Sequence, residues 1–122
     1  MTGIEGLDWQ GSTRKLDISG GDSMAIAEVS IVPLGTKTPS VSQYVARAVR
    51  VLEQEKTMKY EITPMGTVIE GHLDEILTVV KKMHEAVFGE EVVRVVTTIK
   101  IDDRRDKAQG MKDKVDSVKK KL

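Results

Sequence analysis

Ala25-Ile26-Ala27-Glu28-Val29-Ser30-Ile31-Val32-Pro33-Leu34 alternates, and that alternation decides how the rest of the chain is read. With a period of two, Ala27, Val29 and Ile31 point one way while Glu28 and Ser30 point the other, because successive strand residues face opposite sides of a sheet. The segment from Val92 to Ile101 follows the same rule. It puts Val93, Val95, Ile99 and Ile101 on one side and Arg94, Thr98 and Lys100 on the other. A sheet built from two such strands has one apolar face and one face of charges and hydroxyls. The second face is either plain solvated surface or the wall of a small polar ligand site, and both readings stand at this point.

Between these strands the chain changes period. Gly35 to Pro39 reads as loop, and Ser40-Val41-Ser42-Gln43 fits a capping box that would satisfy the first donors of a helix. Val41, Tyr44, Val45, Ala48 and Leu52 follow at helical spacing. Met58, Tyr60 and Ile62 then alternate with Lys59, Glu61 and Thr63. Pro64-Met65-Gly66 turns the chain into a short returning strand, Thr67 to Glu70. Leu73, Ile76, Leu77, Val80, His84 and Val87 form the stripe of a second helix, which Gly89 is expected to end in a left-handed conformation. After the last strand comes a helix with a narrow stripe, Met111, Val115, Val118 and Leu122.

The order is strand, helix, strand, strand, helix, strand, helix. Right-handed crossovers put both helices of the two strand-helix-strand units on one face. The predicted fold is an α+β, ferredoxin-like βαββαβ sandwich. Its four-stranded antiparallel sheet has the first and third strands central, two helices on one face and a further C-terminal helix. The other face stays open. Ile26, Val32 and Val96 sit there among the polar residues, so subunits could pack sheet to sheet on it.

Composition narrows the functional classes. At 122 residues the chain has room for one core. Residues 24–122 are expected to be a single domain, and residues 1–23, with five of the ten glycines and the only tryptophan, Trp9, a flexible extension. Lys plus Arg equals Asp plus Glu at 19 each, without the basic excess of a dedicated nucleic-acid binder. The open face of the last strand also lacks the aromatic residues on which RNA-recognition sheets stack bases. There is no cysteine, so disulfides, thiolate metal sites and cysteine nucleophiles are absent. No apolar run approaches a membrane span, and a cytoplasmic location is expected.

Individual motifs carry less. In Pro64-Met65-Gly66-Thr67-Val68-Ile69-Glu70-Gly71, Gly66 would let backbone approach a ligand and Thr67 and Glu70 would supply polar atoms; ordinary turn chemistry explains the same residues. His84, alone on an apolar stripe, reads as a core histidine bonded to a carbonyl, and His72 is too far along the helix to pair with it on a metal. Ser30 has no base beside it in the sequence, which leaves it a ligand donor or simple strand surface. The run Asp102-Asp103-Arg104-Arg105-Asp106-Lys107 is either a phosphate loop or a set of self-paired charges at a helix start.

Four stretches taken together are distinctive: Ala27-Glu28-Val29-Ser30-Ile31-Val32-Pro33, Pro64 to Gly71 as quoted above, His84-Glu85-Ala86-Val87, and Lys100-Ile101-Asp102-Asp103-Arg104-Arg105-Asp106-Lys107. From Met24 onward the chain resembles the thiamine-binding protein family. The resemblance implies a ferredoxin-like fold and homo-oligomers, dimers or tetramers, packed through the open sheet face. It also implies binding of thiamine or its hydroxymethylpyrimidine moiety rather than catalysis; neither a metal nor a cofactor is expected. An aminopyrimidine ring needs carboxylate or hydroxyl partners, and a thiazolium cation needs a carboxylate or an aromatic face. On that implication Glu28, Ser30, Thr67, Glu70 and Thr98 supply the polar set of the ligand site, Lys100 lines the same site, and Tyr44 supplies a ring. The alternative is an oligomeric structural or regulatory module whose polar face is buried between subunits and holds no metabolite.

Overall fold

The structure is a computed structural model that describes residues 24–122; the expected extension over 1–23, with Trp9, lies outside the described residues. In chain order the elements are β1 (Ala25–Pro33), α1 (Ser42–Glu53), β2 (Lys59–Thr63), β3 (Gly66–Gly71), α2 (Leu73–Val87), β4 (Val95–Asp102) and α3 (Met111–Lys119). The four strands form one sheet in the order β2-β3-β1-β4. That antiparallel sheet with β1 and β3 central is the predicted ferredoxin-like arrangement. The chain divides into two compact units: residues 27–101, and a second that contains 102–122 with the described residues before Ala27.

Within residues 27–101, β1 buries Ala27, Val29 and Ile31 and leaves Glu28, Ser30 and Val32 at least partly accessible, as its alternation requires. Helices α1 and α2 pack on each other, and α2 also lies against β3. Leu52, Ile69, Ile76, Val79, Met83 and Val87 are almost wholly enclosed. Each such side chain contributes about 1.5–3 kcal/mol relative to exposure. The β2–β3 hairpin pairs Tyr60 with Ile69, Glu61 with Val68 and Ile62 with Thr67. Its turn is stapled by Thr63: the hydroxyl accepts from the backbone N–H of Gly66 at 3.1 Å and of Met65 at 3.2 Å and donates to the Gly66 carbonyl at 2.8 Å.

Several local expectations are corrected. The last strand begins at Val95, not Val92, because Gly89 and Val92 form an isolated antiparallel bridge that turns the chain. Val92 is buried while Val93, expected in the core, is 82% exposed. On α2 the buried stripe runs through Ile76, Val79, Val80, Met83 and Val87, and Leu77 faces out. The helix ends because Phe88 adopts an extended conformation (φ −66°, ψ 149°); among the described residues positive φ belongs to Gly35, not Gly89. No side chain caps α1, whose first turn closes on the Val41 carbonyl, accepting from Tyr44 and Val45. Ile62 has the alternation parity of the buried side yet is 62% exposed, since β2 lies at the sheet edge.

In the second unit, Lys114 Nζ lies 2.7 Å from Asp102 Oδ2. The Gly110 N–H at the start of α3 donates to Asp113 Oδ2 at 3.0 Å. No residue of α3 is buried. The charged run precedes this helix instead of forming its first turn.

Candidate functional site

Two observations set the register between β1 and β4. The Leu34 N–H donates to the Arg94 carbonyl at 2.9 Å, and Lys100 Nζ lies 3.7 Å from Glu28 Oε1. Both fit one antiparallel register without a slip, in which Ser30 faces Thr98 and Val32 faces Val96. Directly opposed residues lie on the same face, so these three pairs form a strip along the open side of the sheet. Its chemistry is graded: an ion pair at Glu28–Lys100, a hydroxyl pair at Ser30–Thr98, an exposed apolar pair at Val32–Val96. At about 3.4 Å per residue, the strip spans roughly 13 Å.

Gly66 forms part of the floor beside Glu28. A Cβ there would stand 2.7 Å from the Val29 carbonyl oxygen and 3.7 Å from Glu28 Cγ. What approaches closely at this glycine is therefore the backbone of β1. The absent side chain also leaves the stem of Glu28 open on the β3 side.

The structure brings Glu28, Ser30, Thr98 and Lys100 together and turns Thr67 and Tyr44 away from them. Thr67 has the parity of Ile69, faces the helical layer and is 4% exposed. Tyr44 is held in α1 at 3% exposure, its ring covered by the Arg47 guanidinium, whose carbon lies 5.1 Å from the ring centroid. Glu70 does lie on the open-face parity of β3, but four residues from Gly66, about 13 Å along the strand. Because β3 runs antiparallel to β1, Ser30 and Glu70 fall on opposite sides of Glu28.

Other chemistry-bearing groups are engaged elsewhere. His84 Nδ1 shares a 2.6 Å hydrogen bond with Thr97 Oγ1, a hydroxyl where a carbonyl was expected, and its ring meets Phe88 edge-on. Arg105 is paired with Asp103, and Arg104 with Asp106, so the self-paired reading of the charged run holds. These hydrogen bonds, and the paired charge after them, raise both guanidinium pKa values; the bond from Arg104 lowers Asp106. An open recess of about 650 Å³ on α3, lined by Gln109, Lys114, Val115, Ser117, Val118 and Lys119, has no acid to hold a cation. Among the described residues no cluster of three or more His, Asp or Glu could hold a metal ion. No described helix is long and apolar enough to cross a membrane.

The family described as thiamine-binding protein matches residues 27–119, all seven elements except the first two residues of β1. The chain belongs to the thiamine-binding protein family. Among its relatives, the UPF0045 protein YqgV of Bacillus subtilis is 50% identical over 102 residues, covering 81% of this chain and 98% of that protein. A UPF0045 protein of Methanothermobacter thermautotrophicus is 50% identical over 100 residues, covering 81% and 100%. The crystal structure of the hypothetical protein MJ1052 from Methanocaldococcus jannaschii superposes with a TM-score of 0.73 at 44% identity, over 79% of this chain and 96% of that one. In this member of the thiamine-binding protein family, the strip beside Gly66 gathers a carboxylate, a lysine and two hydroxyls on one face of the sheet. Alternation alone pointed to its two faces; the cross-strand pairing, and the part Gly66 plays beneath Glu28, had no signal in the local sequence.

Proposed function

We propose that this protein binds thiamine or its hydroxymethylpyrimidine moiety on the open sheet face, without catalysing a reaction on it. The observation that carries the reading is the graded strip itself: a carboxylate at Glu28, hydroxyls at Ser30 and Thr98, and an apolar end at Val32 and Val96. Thiamine is graded in the same sense, with a cationic ring, a hydrogen-bonding aminopyrimidine and apolar ring faces. A carboxylate accepts from the amino group or meets the cation, and the hydroxyls serve the ring nitrogens as donors or acceptors. Membership of the thiamine-binding protein family supports the same ligand.

The reading includes a homo-oligomer, dimer or tetramer, in the cytoplasm, with the strip lining a recess between protomers. Support comes from the exposed Val32 and Val96, which a second copy packed sheet to sheet would cover. The same pair supports the second reading, an interaction module with no metabolite, and one experiment separates the two. Titration calorimetry with thiamine and with the hydroxymethylpyrimidine is expected to show binding that Glu28→Gln weakens about tenfold, since a hydrogen bond to a charged group contributes about 1.5–3 kcal/mol. Ser30→Ala with Thr98→Val is expected to weaken it by a further few-fold. Absence of heat from both ligands, with the oligomer intact by light scattering, leaves the interaction module.

A further inference from the structure

We infer that Lys100 is a built-in competitor for the ligand's positive charge at Glu28, so that this site is tuned against cations and its affinity is set by a residue of its own. The inference rests on the binding reading above and concerns how that site discriminates.

The geometry of the pair is the starting point. Lys100 Nζ stands 3.7 Å from Glu28 Oε1, beyond hydrogen-bond length, with the Lys100 side chain 81% exposed and that of Glu28 43% exposed. The ammonium is therefore held by charge and not by a directed bond, and an exposed pair of this kind is weak and easily exchanged. Lys100 reaches this position because the β1–β4 register sets it directly opposite Glu28. A cationic ring seated on Glu28 must displace that ammonium, and if the ammonium swings aside only a few ångströms it still repels the incoming charge. An uncharged ring hydrogen-bonded at Glu28, Ser30 and Thr98 brings no charge for the ammonium to repel, and the carboxylate has acceptor sites enough for both. Lys100 thus lowers affinity for the cation and leaves affinity for a neutral pyrimidine nearly unchanged.

The test compares wild type, Lys100→Met and Lys100→Gln by titration calorimetry at mildly alkaline pH and low salt. The probes are thiamine, with its permanent thiazolium charge, and the uncharged hydroxymethylpyrimidine. Both substitutions are expected to tighten thiamine binding about two- to fivefold, the factor that corresponds to an exposed ion pair, while the neutral probe changes less than twofold. Agreement between the apolar and the polar replacement ties the gain to the lost charge and not to a new contact. Circular dichroism checks that each variant is folded. Thiamine binding that is unchanged or weakened in both variants overturns the inference while leaving the binding reading intact. Failure of all three proteins to bind either probe overturns both.

Discussion

Arg47 holds Glu91 across the molecule's helical side: Nη2 donates to Glu91 Oε1 at 3.0 Å, tying α1 to the turn after α2. The Glu91 carboxyl is held below its ordinary value of 4.5, first by a hydrogen bond from its own backbone and then by the bond from Arg47. A carboxyl depressed in the folded state adds stability that is present above its unfolded value and is lost as the pH falls through its folded one. Glu91→Gln is therefore expected to lower the urea midpoint near neutral pH, with the gap to wild type closing as the pH falls below about 4. A gap of constant size down to about pH 3 would assign the effect to packing.

Gly66→Ala tests the closeness of β1 and β3. The added Cβ would stand 2.7 Å from the Val29 carbonyl oxygen, a backbone atom that cannot swing aside. Overpacking of this kind costs about 1–3 kcal/mol, and chemical denaturation is expected to show a loss in that range.

Thr67→Val separates the two faces of the sheet. The Thr67 hydroxyl is buried, and no hydrogen bond reaches it from any described residue. Removing an unpaired buried hydroxyl at constant shape is neutral or stabilising, by up to about 1 kcal/mol. Thiamine affinity is expected to stay within about twofold of wild type, because this side chain faces the helices. A large loss of affinity without loss of stability would return Thr67 to the site.

Thr97→Val removes the partner of His84. The 2.6 Å bond between Nδ1 and Oγ1 is half-buried, so the ring nitrogen would be left without it in a partly dry setting. The expected cost is about 1 kcal/mol, read from the denaturation midpoint. A midpoint equal to wild type would mean that water replaces the hydroxyl fully.

The residues divide according to how far their information travels along the chain. The two-residue period of β1 was enough to assign Ala27, Val29 and Ile31 to one face and Glu28 and Ser30 to the other, because side-chain direction in a strand is a local property. The same holds for the order of the elements, from which crossover handedness leads to the ferredoxin-like sheet. Where a neighbour decides, local pattern failed. Leu77 and Met83 exchange places because the buried arc of α2 depends on what it packs against, and Val93 leaves the core because the Gly89–Val92 bridge resets the period. Thr67 and Tyr44, chosen for their chemistry, are enclosed on the helical side. Alternation already put Glu28 and Lys100 on one face; that they stand directly opposite each other was decided by the tertiary structure. Their partnership is set by ladder hydrogen bonds between segments far apart in the chain, and a one-residue slip in that ladder would remove it without altering either strand's own pattern.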